Sequence, residues 1–226
     1  MSTGNLAWLC KLRSRFIVFD GPDGSGKTTQ FRRFITQVAS HDIQVCEVRE
    51  PGGTAIGEQI RHVLLDPAYE PMDVRCEMLL YMASRAQLVT EKIAPAIEQG
   101  QLVLADRFIS STLAYQGTAG GLAVSDILRI GQIALGQHWP DLVVVFDVDQ
   151  ETANARMNPL LRSREFDSDK DRMEMKGASF HRRVRQGYLD QARNDPDRYL
   201  VLDATADQDT VFDRLLQGLA DKAALW

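Results

Sequence analysis

The sequence has few cysteines, and their arrangement indicates neither a disulfide framework nor a zinc site. Its 226 residues include three, Cys10, Cys46 and Cys76, which are widely spaced and form no C-x-x-C pair. This pattern is typical of free thiols and excludes the small disulfide-rich secreted domains. Cys46 lies in a run of alternating apolar residues, so we expect it to be a buried thiol.

Long apolar runs and an excess of positive charge are also missing. No segment reaches the roughly 20 apolar residues that a transmembrane helix needs. The 26 Lys and Arg against 31 Asp and Glu give a net charge of −5. We therefore expect no membrane span and no general nucleic-acid-binding function, since proteins of that class usually carry a basic surface.

The first residues, MSTGNLAWLCKLRSRF, do not resemble a secretion signal, because no charged region precedes their short apolar patch. We expect residues 1–14 to be a poorly ordered leader, and a reducing cytoplasmic setting follows as the default. No linker or low-complexity stretch divides the rest of the chain, so residues 15–226 are expected to form a single domain.

Short β-rich runs alternate with helical patterns along the chain. Residues 142–146 are apolar throughout, as expected for a strand covered on both faces. The alternation predicts an α/β fold with a five-stranded parallel sheet flanked by helices. The predicted strands are 16–20, 44–48, 102–105, 142–147 and 199–202. The predicted helices are 26–40, 54–65, 73–98, 122–136, 173–194 and 207–222.

A glycine-rich loop, GPDGSGKT, joins the first predicted strand to the first predicted helix. It fits the phosphate-binding pattern G-x-x-x-x-G-K-[ST] in the required strand–loop–helix context, which predicts a P-loop NTPase-type three-layer fold. Anions bind at such helix N-termini, so Lys27 is expected at the β- and γ-phosphates of a nucleoside triphosphate and Thr28 at Mg²⁺. The expected ATP-binding residues of this loop are Gly21, Pro22, Asp23, Gly24, Ser25, Gly26, Lys27, Thr28 and Thr29.

Residues 102–106, LVLAD, form a predicted strand that ends in a carboxylate. Ligands of open α/β sheets bind at the carboxyl ends of strands, so Asp106 is a candidate Mg²⁺ ligand and Arg107 a candidate clamp for a second phosphate. The structural alternative is a strand-end cap or an ion pair between these two side chains. Asp147 ends the next apolar strand and is a rival Mg²⁺ ligand, for which we favour a structural role.

Residues 156–176 are densely charged and show little apolar periodicity. A solvated surface loop is the ordinary interpretation of such a segment. Beside a phosphate loop, however, a mobile lid can bring arginines to the transferred phosphoryl group and exclude water. We therefore expect a lid at about 156–176.

Five segments, in this order, resemble the thymidylate kinase family. They are FDGPDGSGKTTQ, REPGGT, LLYMASRAQLV, ADRFISSTLAYQG and the charged segment with DRME, and the similarity runs from about residue 16 to the LDAT at 202–205. The phosphate loop is shared by many families, whereas EPGGT and DR-x₇-YQG are much more specific. The family uses ATP with Mg²⁺ to convert thymidine monophosphate (dTMP) to the diphosphate dTDP.

The REPGGT turn is tight, which favours a cis Glu50–Pro51 peptide bond, although an ordinary strand-to-helix turn is the simpler interpretation of these residues alone. The resemblance implies that Arg49 and Arg107 hold the phosphate of the acceptor. It also implies that Asp23 lies near the 3′-hydroxyl of the acceptor sugar.

The resemblance further implies a pocket for the acceptor base. Tyr81 would stack on thymine, Arg85 would hydrogen-bond the base edge, and Tyr115 would crowd the 2′ position and disfavour ribose. On the residues alone, Tyr81 is equally well a core aromatic of helix 73–98. The full implied acceptor set is Asp23, Arg49, Pro51, Tyr81, Arg85, Arg107, Ser111, Thr112, Tyr115 and Gln116.

The resemblance also indicates a subtype. Gly24 stands where some members carry a phosphate-loop arginine, so the sequence resembles the bacterial type, which supplies that arginine from the lid. Arg162 and Arg164 are then the implied catalytic arginines, acting with Lys27 and Arg107.

On the adenine side, the resemblance implies that Arg156 lies against the base and that residues 203–205, including Ala204, close over it. The DRME run would open the helix after the lid. Two features depart from the family pattern: the lid is longer than in compact bacterial members, and Tyr81 and Thr112 are not the commonest residues at their positions.

Together these features predict a dTMP kinase that contributes to dTTP synthesis, with ATP and dTMP as partners. Because members of the family are commonly dimeric, the resemblance also implies a homodimer. Three alternatives stay open: a kinase for another pyrimidine monophosphate, an ATP-binding switch module, and an inactive structural relative. Tyr115 and EPGGT argue against the first. The sequence contains no N-K-x-D segment of a GTPase switch, and the intact motifs argue against the third.

Overall fold

The computed structural model describes residues 6–162, 172–173 and 176–226, with only the backbone described at 157–162. In this part of the chain, five parallel strands form one sheet in the order β2-β3-β1-β4-β5. This confirms the predicted fold class, and every strand lies within one residue of its predicted bounds. The strands are β1 Phe16–Asp20, β2 Val45–Arg49, β3 Leu102–Asp106, β4 Leu142–Asp147 and β5 Tyr199–Asp203.

Helices cover both faces of the sheet. None of the described helices is both long and apolar enough to cross a lipid bilayer. The α-helices of the described chain are α1 Lys27–Ala39, α2 Ala55–Leu65, α3 Val74–Leu88, α4 Ala94–Glu98, α5 Ile109–Thr112, α6 Val124–Leu135, α7 Gln150–Arg162, α8 Ala178–Asn194 and α9 Gln208–Ala224. Two π-helical turns, Val89–Ile93 and Leu113–Ala119, and two 3-10 helices, Leu6–Leu12 and Pro67–Tyr69, complete them.

The three-layer arrangement follows from the alternation of side chains along each strand. Phe16 and Val18 of β1 belong to one buried cluster, which includes side chains of α3, α6 and α8. Ile17 and Phe19 belong to a second cluster, formed with α1, α9 and the first 3-10 helix. Because both faces are covered, every residue of β1 is buried.

The N-terminal residues differ from the expected poorly ordered leader. From residue 6 they form a 3-10 helix whose Leu9 and Leu12 are buried, and Lys11 Nζ donates to the Ala223 carbonyl over 2.8 Å. The short apolar patch is thus part of the second cluster. Cys46, expected to be buried, is half-buried, and this burial raises the pKa of its thiol.

Two of the described α-helices were not predicted. Ile109–Thr112 with its π-helical continuation is buried on almost every side, so it lacks the apolar stripe that identifies an amphipathic helix. Gln150–Arg162 includes the start of the expected lid. Arg172 and Met173 form a turn, and the following helix begins at Ala178, so the DRME run does not open that helix.

Candidate active site

The phosphate loop leaves the carboxyl end of β1 and leads into α1. Gly21, Gly24 and Gly26 have positive φ values of 136°, 78° and 81°. A Cβ atom at Gly21 would lie 2.5 Å from the Phe146 carbonyl oxygen, and one at Gly24 would lie 2.6 Å from that of Ala153. Glycine is therefore required at both positions by conformation and by space. The loop ends at the free N–H groups of α1, which form an anion site.

Lys27 lies between two carboxylates at the mouth of this loop. Its Nζ is 4.0 Å from Asp23 Oδ1 and 3.9 Å from Asp106 Oδ1. Burial, and secondarily the charge of Arg107, lowers the pKa of Lys27. The structure thus brings together the loop lysine and the strand-end aspartate that were predicted from separate motifs.

Two buried polar atoms at this point have no hydrogen-bond partner within the described chain: Ser25 Oγ and Asp106 Oδ1. Thr28, the other predicted Mg²⁺ ligand, is exposed at the start of α1. Magnesium is usually held by one or two carboxylates together with substrate phosphates, so an Asp106 oxygen that lies beside the loop and accepts no hydrogen bond from the described residues fits this ion. In the described chain, no group of three or more His, Cys, Asp or Glu is arranged to hold a metal.

Arg107 is part of a buried network that no motif indicated. Asp20, the last residue of β1, accepts hydrogen bonds from Ser111 Oγ (2.8 Å) and Tyr188 OH (2.6 Å). The Arg107 guanidinium donates to Asp20 over 3.3 Å and forms an ion pair with Asp23. Asp20 could have been found by the strand-end argument that identified Asp106, whereas Tyr188 lies on α8 and carries no sequence signal.

The charges around Asp23 keep this carboxylate ionised. Burial raises its pKa, but the charges of Arg107 and Lys27 outweigh burial and bring the pKa to about 2. Tyr115 OH donates to Asp23 over 3.2 Å, and burial raises the pKa of this phenol well above its ordinary value. Tyr115 is therefore neutral at any physiological pH.

Beside Arg107 lies a cavity of about 120 Å³. Every residue of the predicted acceptor set except Arg49 lines this cavity. Arg49 instead pairs with Glu58 over 3.1 Å, with about half of its side chain exposed. The cavity is lined by Asp23, Glu50, Pro51, Arg61, Leu65, Tyr81, Arg85, Arg107, Phe108, Ser111, Thr112, Tyr115, Gln116 and Met173.

A buried ion pair fixes Arg85, which was predicted to contact the edge of the base. Arg85 donates from Nε and Nη2 to the Glu50 carboxylate over 2.9 and 2.6 Å, and its Nη2 also reaches Thr112 Oγ1 over 3.0 Å. Its guanidinium lies 5.0 Å from the centre of the Phe108 ring. The Glu50–Pro51 peptide bond is cis, which is the form that the tight turn favoured over the simpler interpretation of an ordinary turn. Glu50 was missed, although it stands within the EPGGT motif.

On the opposite side of the loop, Arg156 donates to the carbonyl oxygens of Ala204 (2.7 Å), Thr205 (3.0 Å) and Ala206 (3.1 Å). The two elements predicted to contact adenine are thus adjacent. Asp147 forms two hydrogen bonds with Arg185, of 2.6 and 2.8 Å, in keeping with the structural role that we favoured.

The remaining lid predictions lie outside the described residues. These are the side chains of Arg162 and Arg164 and most of the segment 156–176.

Comparison with known proteins identifies the family. The sequence model of thymidylate kinase matches residues 19–215. The chain belongs to the thymidylate kinase family. Thymidylate kinase of Geobacillus sp. strain WCH70 is 41% identical over 93% of this chain and 98% of its own length. That of Symbiobacterium thermophilum is 44% identical over 85% of this chain and 86% of its own.

A solved structure agrees with this assignment. The crystal structure of thymidylate kinase from Ehrlichia chaffeensis matches with a TM-score of 0.70 and 28% identity, over 91% of this chain and 98% of that one. The resemblance seen in the sequence and the P-loop NTPase-type fold are thereby confirmed. Thymidylate kinases phosphorylate dTMP to dTDP with ATP, so the kinase interpretation is favoured over a switch module or an inactive relative.

Proposed function

We propose that the protein transfers the γ-phosphoryl group of ATP to the phosphate of dTMP, with ATP on the phosphate loop and dTMP in the adjacent cavity. The observation that carries this proposal is that loop and cavity meet at Asp23 and Arg107. Asp23 belongs to the loop and also lines the cavity, and Arg107 is ion-paired to it. Two nucleotides bound on either side would therefore present their phosphates to each other.

The cavity has the chemistry of a pyrimidine deoxynucleotide site. Tyr81 supplies an aromatic face for stacking, and Arg85 and Thr112 supply polar groups for the base edge. Because Glu50 fixes the guanidinium of Arg85, little conformational entropy is lost when a base binds. Tyr115, held by Asp23, narrows the space for the sugar and supports discrimination against a 2′-hydroxyl.

The proposed reaction needs no covalent intermediate. The second pKa of a phosphate monoester is about 6, so the acceptor is already ionised at neutral pH and attacks the γ-phosphorus in line without a general base. Lys27 and the backbone N–H groups of the loop offset the charge on the transferred group. Thr28 and Asp106 would hold Mg²⁺, which neutralises charge on the β- and γ-phosphates when bound. Arg162 and Arg164 are proposed to add positive charge from the lid.

The test is ADP formation from Mg-ATP with each nucleoside monophosphate in turn. We expect selective turnover with dTMP, and Lys27→Met should lower kcat by about a thousand-fold or more, since the loop lysine stabilises developing charge. Lys92→Met, which removes an exposed lysine, is the matched control and should retain activity. Turnover with another pyrimidine monophosphate instead of dTMP would support the mechanism but refute dTMP as the substrate. Full activity of Lys27→Met would refute the mechanism.

We also propose a homodimer formed through α2, α3 and α6. Of these helices, α3 packs against both α2 and α6, and each of the three exposes a large apolar side chain: Ile56 (54% exposed), Leu79 (51%) and Ile133 (86%). Large exposed apolar side chains on neighbouring helices support an interaction surface. The three free cysteines support the proposed reducing, cytoplasmic setting.

A further inference from the structure

Arg172 and Glu77 form a buried ion pair that the mechanism above does not use. Each side chain is only 2% exposed, and Arg172 Nη2 contacts Glu77 Oε2. Arg172 belongs to the DRME run within the charged segment 156–176, and Glu77 lies on α3. Two charges removed from water in this way bring little net stability compared with apolar side chains of similar volume. Their placement therefore needs a reason other than stability.

The contacts of the pair reach several walls of the acceptor cavity. Arg172 donates from Nε to the Leu64 carbonyl over 3.0 Å and from its backbone N–H to the Leu65 carbonyl over 3.2 Å, at the end of α2. Glu77 uses its other oxygen to accept a hydrogen bond of 2.6 Å from Gln116 Nε2. One connected set of polar contacts thus joins α2, α3, the π-helical turn and the turn at Met173.

Each of these four segments contributes a side chain to the cavity lining. They are Leu65 of α2, Tyr81 of α3, Gln116 of the π-helical turn and Met173. Met173 directly follows Arg172, so the contacts that fix Arg172 also fix the position of Met173 in the cavity. Tyr81 follows Glu77 by four residues and lies on the same face of α3. The shape of the cavity therefore depends on a pair that does not line it.

We propose that Arg172 is a positioning residue for the monophosphate acceptor. Arg172 contacts Glu77 and the last carbonyl groups of α2. These contacts hold Met173 and Gln116 in place, so Arg172 sets the affinity for dTMP without contacting dTMP. The inference rests on the proposed assignment of dTMP to this cavity. Among the described residues, neither Arg172 nor Glu77 contacts the phosphate loop, so ATP binding should not depend on the pair.

The first experiment compares Arg172→Met and Arg172→Lys with the unmodified enzyme. Both variants should raise the KM for dTMP by about ten-fold or more. The Kd for dTMP, measured by calorimetry without ATP, should rise equally, which is a loss of about 1.4 kcal/mol of binding free energy. Arg172→Lys keeps the positive charge but not the planar set of hydrogen-bond donors. It tests the proposal even if Arg172→Met does not fold. The KM for ATP should stay within about two-fold and kcat at saturating dTMP within about three-fold. Arg15→Met, which breaks an ion pair with Asp141 away from the cavity, should change none of these values.

A double variant separates positioning from stability. Glu77→Met combined with Arg172→Met removes both charges, so the double variant should regain the part of the thermal stability that Arg172→Met loses through an unpaired buried Glu77. The raised KM for dTMP should remain, because the hydrogen bonds to α2 and Gln116 are gone. If the double variant regains stability and acceptor affinity together, the pair serves folding alone and the proposal is overturned.

Tyr81→Ala distinguishes failure of this inference from failure of the cavity assignment. If Tyr81→Ala raises the KM for dTMP and the Arg172 variants do not, the cavity is the acceptor site and Arg172 has no positioning role. If neither raises it, dTMP binds elsewhere and both proposals fail.

Discussion

At the scale of single residues, Arg107 has an unfavourable backbone conformation and a guanidinium group with several polar partners. Its φ of 68° lies in the left-handed region, which costs a residue with a side chain about 1 kcal/mol. Two aspartates, Ser111 and Tyr188 surround its guanidinium. A strained backbone held by so many partners is typical of a functional position.

Removal of this guanidinium should affect the acceptor more than the donor. Arg107→Ala is expected to raise the KM for dTMP about ten-fold or more, because a charge-assisted clamp on phosphate contributes roughly 1.5–3 kcal/mol. Steady-state kinetics with each substrate varied in turn measure this effect. Arg75→Ala removes an exposed arginine that pairs only locally and is the control. An unchanged KM for dTMP would exclude the phosphate clamp.

Asp23 should make stability depend on pH at the acid end. Its pKa is about 2 in the fold against an ordinary 3.8, so the ionised form favours folding. This contribution, about 2 kcal/mol, is fully present above about pH 4 and is lost as the pH falls through about 2. Urea unfolding of the protein and of Asp23→Asn between these values measures it. The free energy of unfolding should change less steeply with pH in Asp23→Asn, and parallel curves would contradict the argument.

Some site residues could be recognised from sequence because local rules determine them. Gly21 and Gly24 are required by the backbone of the loop, and Asp106 by its place at a strand end. Tyr188 and Arg172 could not be recognised in this way, because their partners lie far away in the chain. Only the packed fold brings them together.

At the scale of elements, the strands were the most predictable part. Each buried strand is a short apolar run between loops, and parallel sheets covered on both faces produce that pattern. The helix Ile109–Thr112 and its continuation escaped prediction for the opposite reason, since burial on almost all sides removes the polar–apolar contrast. Gln150–Arg162 escaped because its first half is mostly polar and Pro159 lies inside it, so it shows little apolar periodicity.

The packing of α8 against the π-helical turn depends on one glycine. A Cβ atom at Gly187 would lie 2.9 Å from Thr118 Cβ and 3.0 Å from Ala114 Cα. Gly187→Ala should therefore destabilise the fold by about 1–3 kcal/mol. It should also raise the KM for dTMP, because the turn that carries Tyr115 and Gln116 would be displaced.

Thermal unfolding and kinetics measure these two effects. Gly177→Ala, at the start of the same helix, is the matched control, since its Cβ atom would meet nothing within 4 Å. Equal melting temperatures of the two variants would show that the close contact is unimportant.

At the scale of the whole molecule, the exposed face of α2, α3 and α6 predicts the oligomeric state. Ile133→Asp places a charge at the most exposed apolar residue of this face and should convert the proposed dimer to a monomer. Leu225→Asp makes the same change at a residue that is 78% exposed but lies outside these helices, so it should leave the dimer intact. Sedimentation velocity distinguishes the two, and a monomeric unmodified protein would exclude the proposal.

The order of strands has a consequence for synthesis of the chain. β1 is the first strand made, yet its partners come late: Phe16 lies opposite Val103, and Ile17 opposite Leu142. At about 5–20 residues per second, the ribosome works for roughly ten seconds before both partners of β1 exist. During that time the apolar run FIVF is unpaired, and the phosphate loop behind it has no support from the sheet, so ATP cannot yet stabilise the nascent chain. We therefore expect β1 to be the segment that chaperones hold while the rest of the enzyme is made.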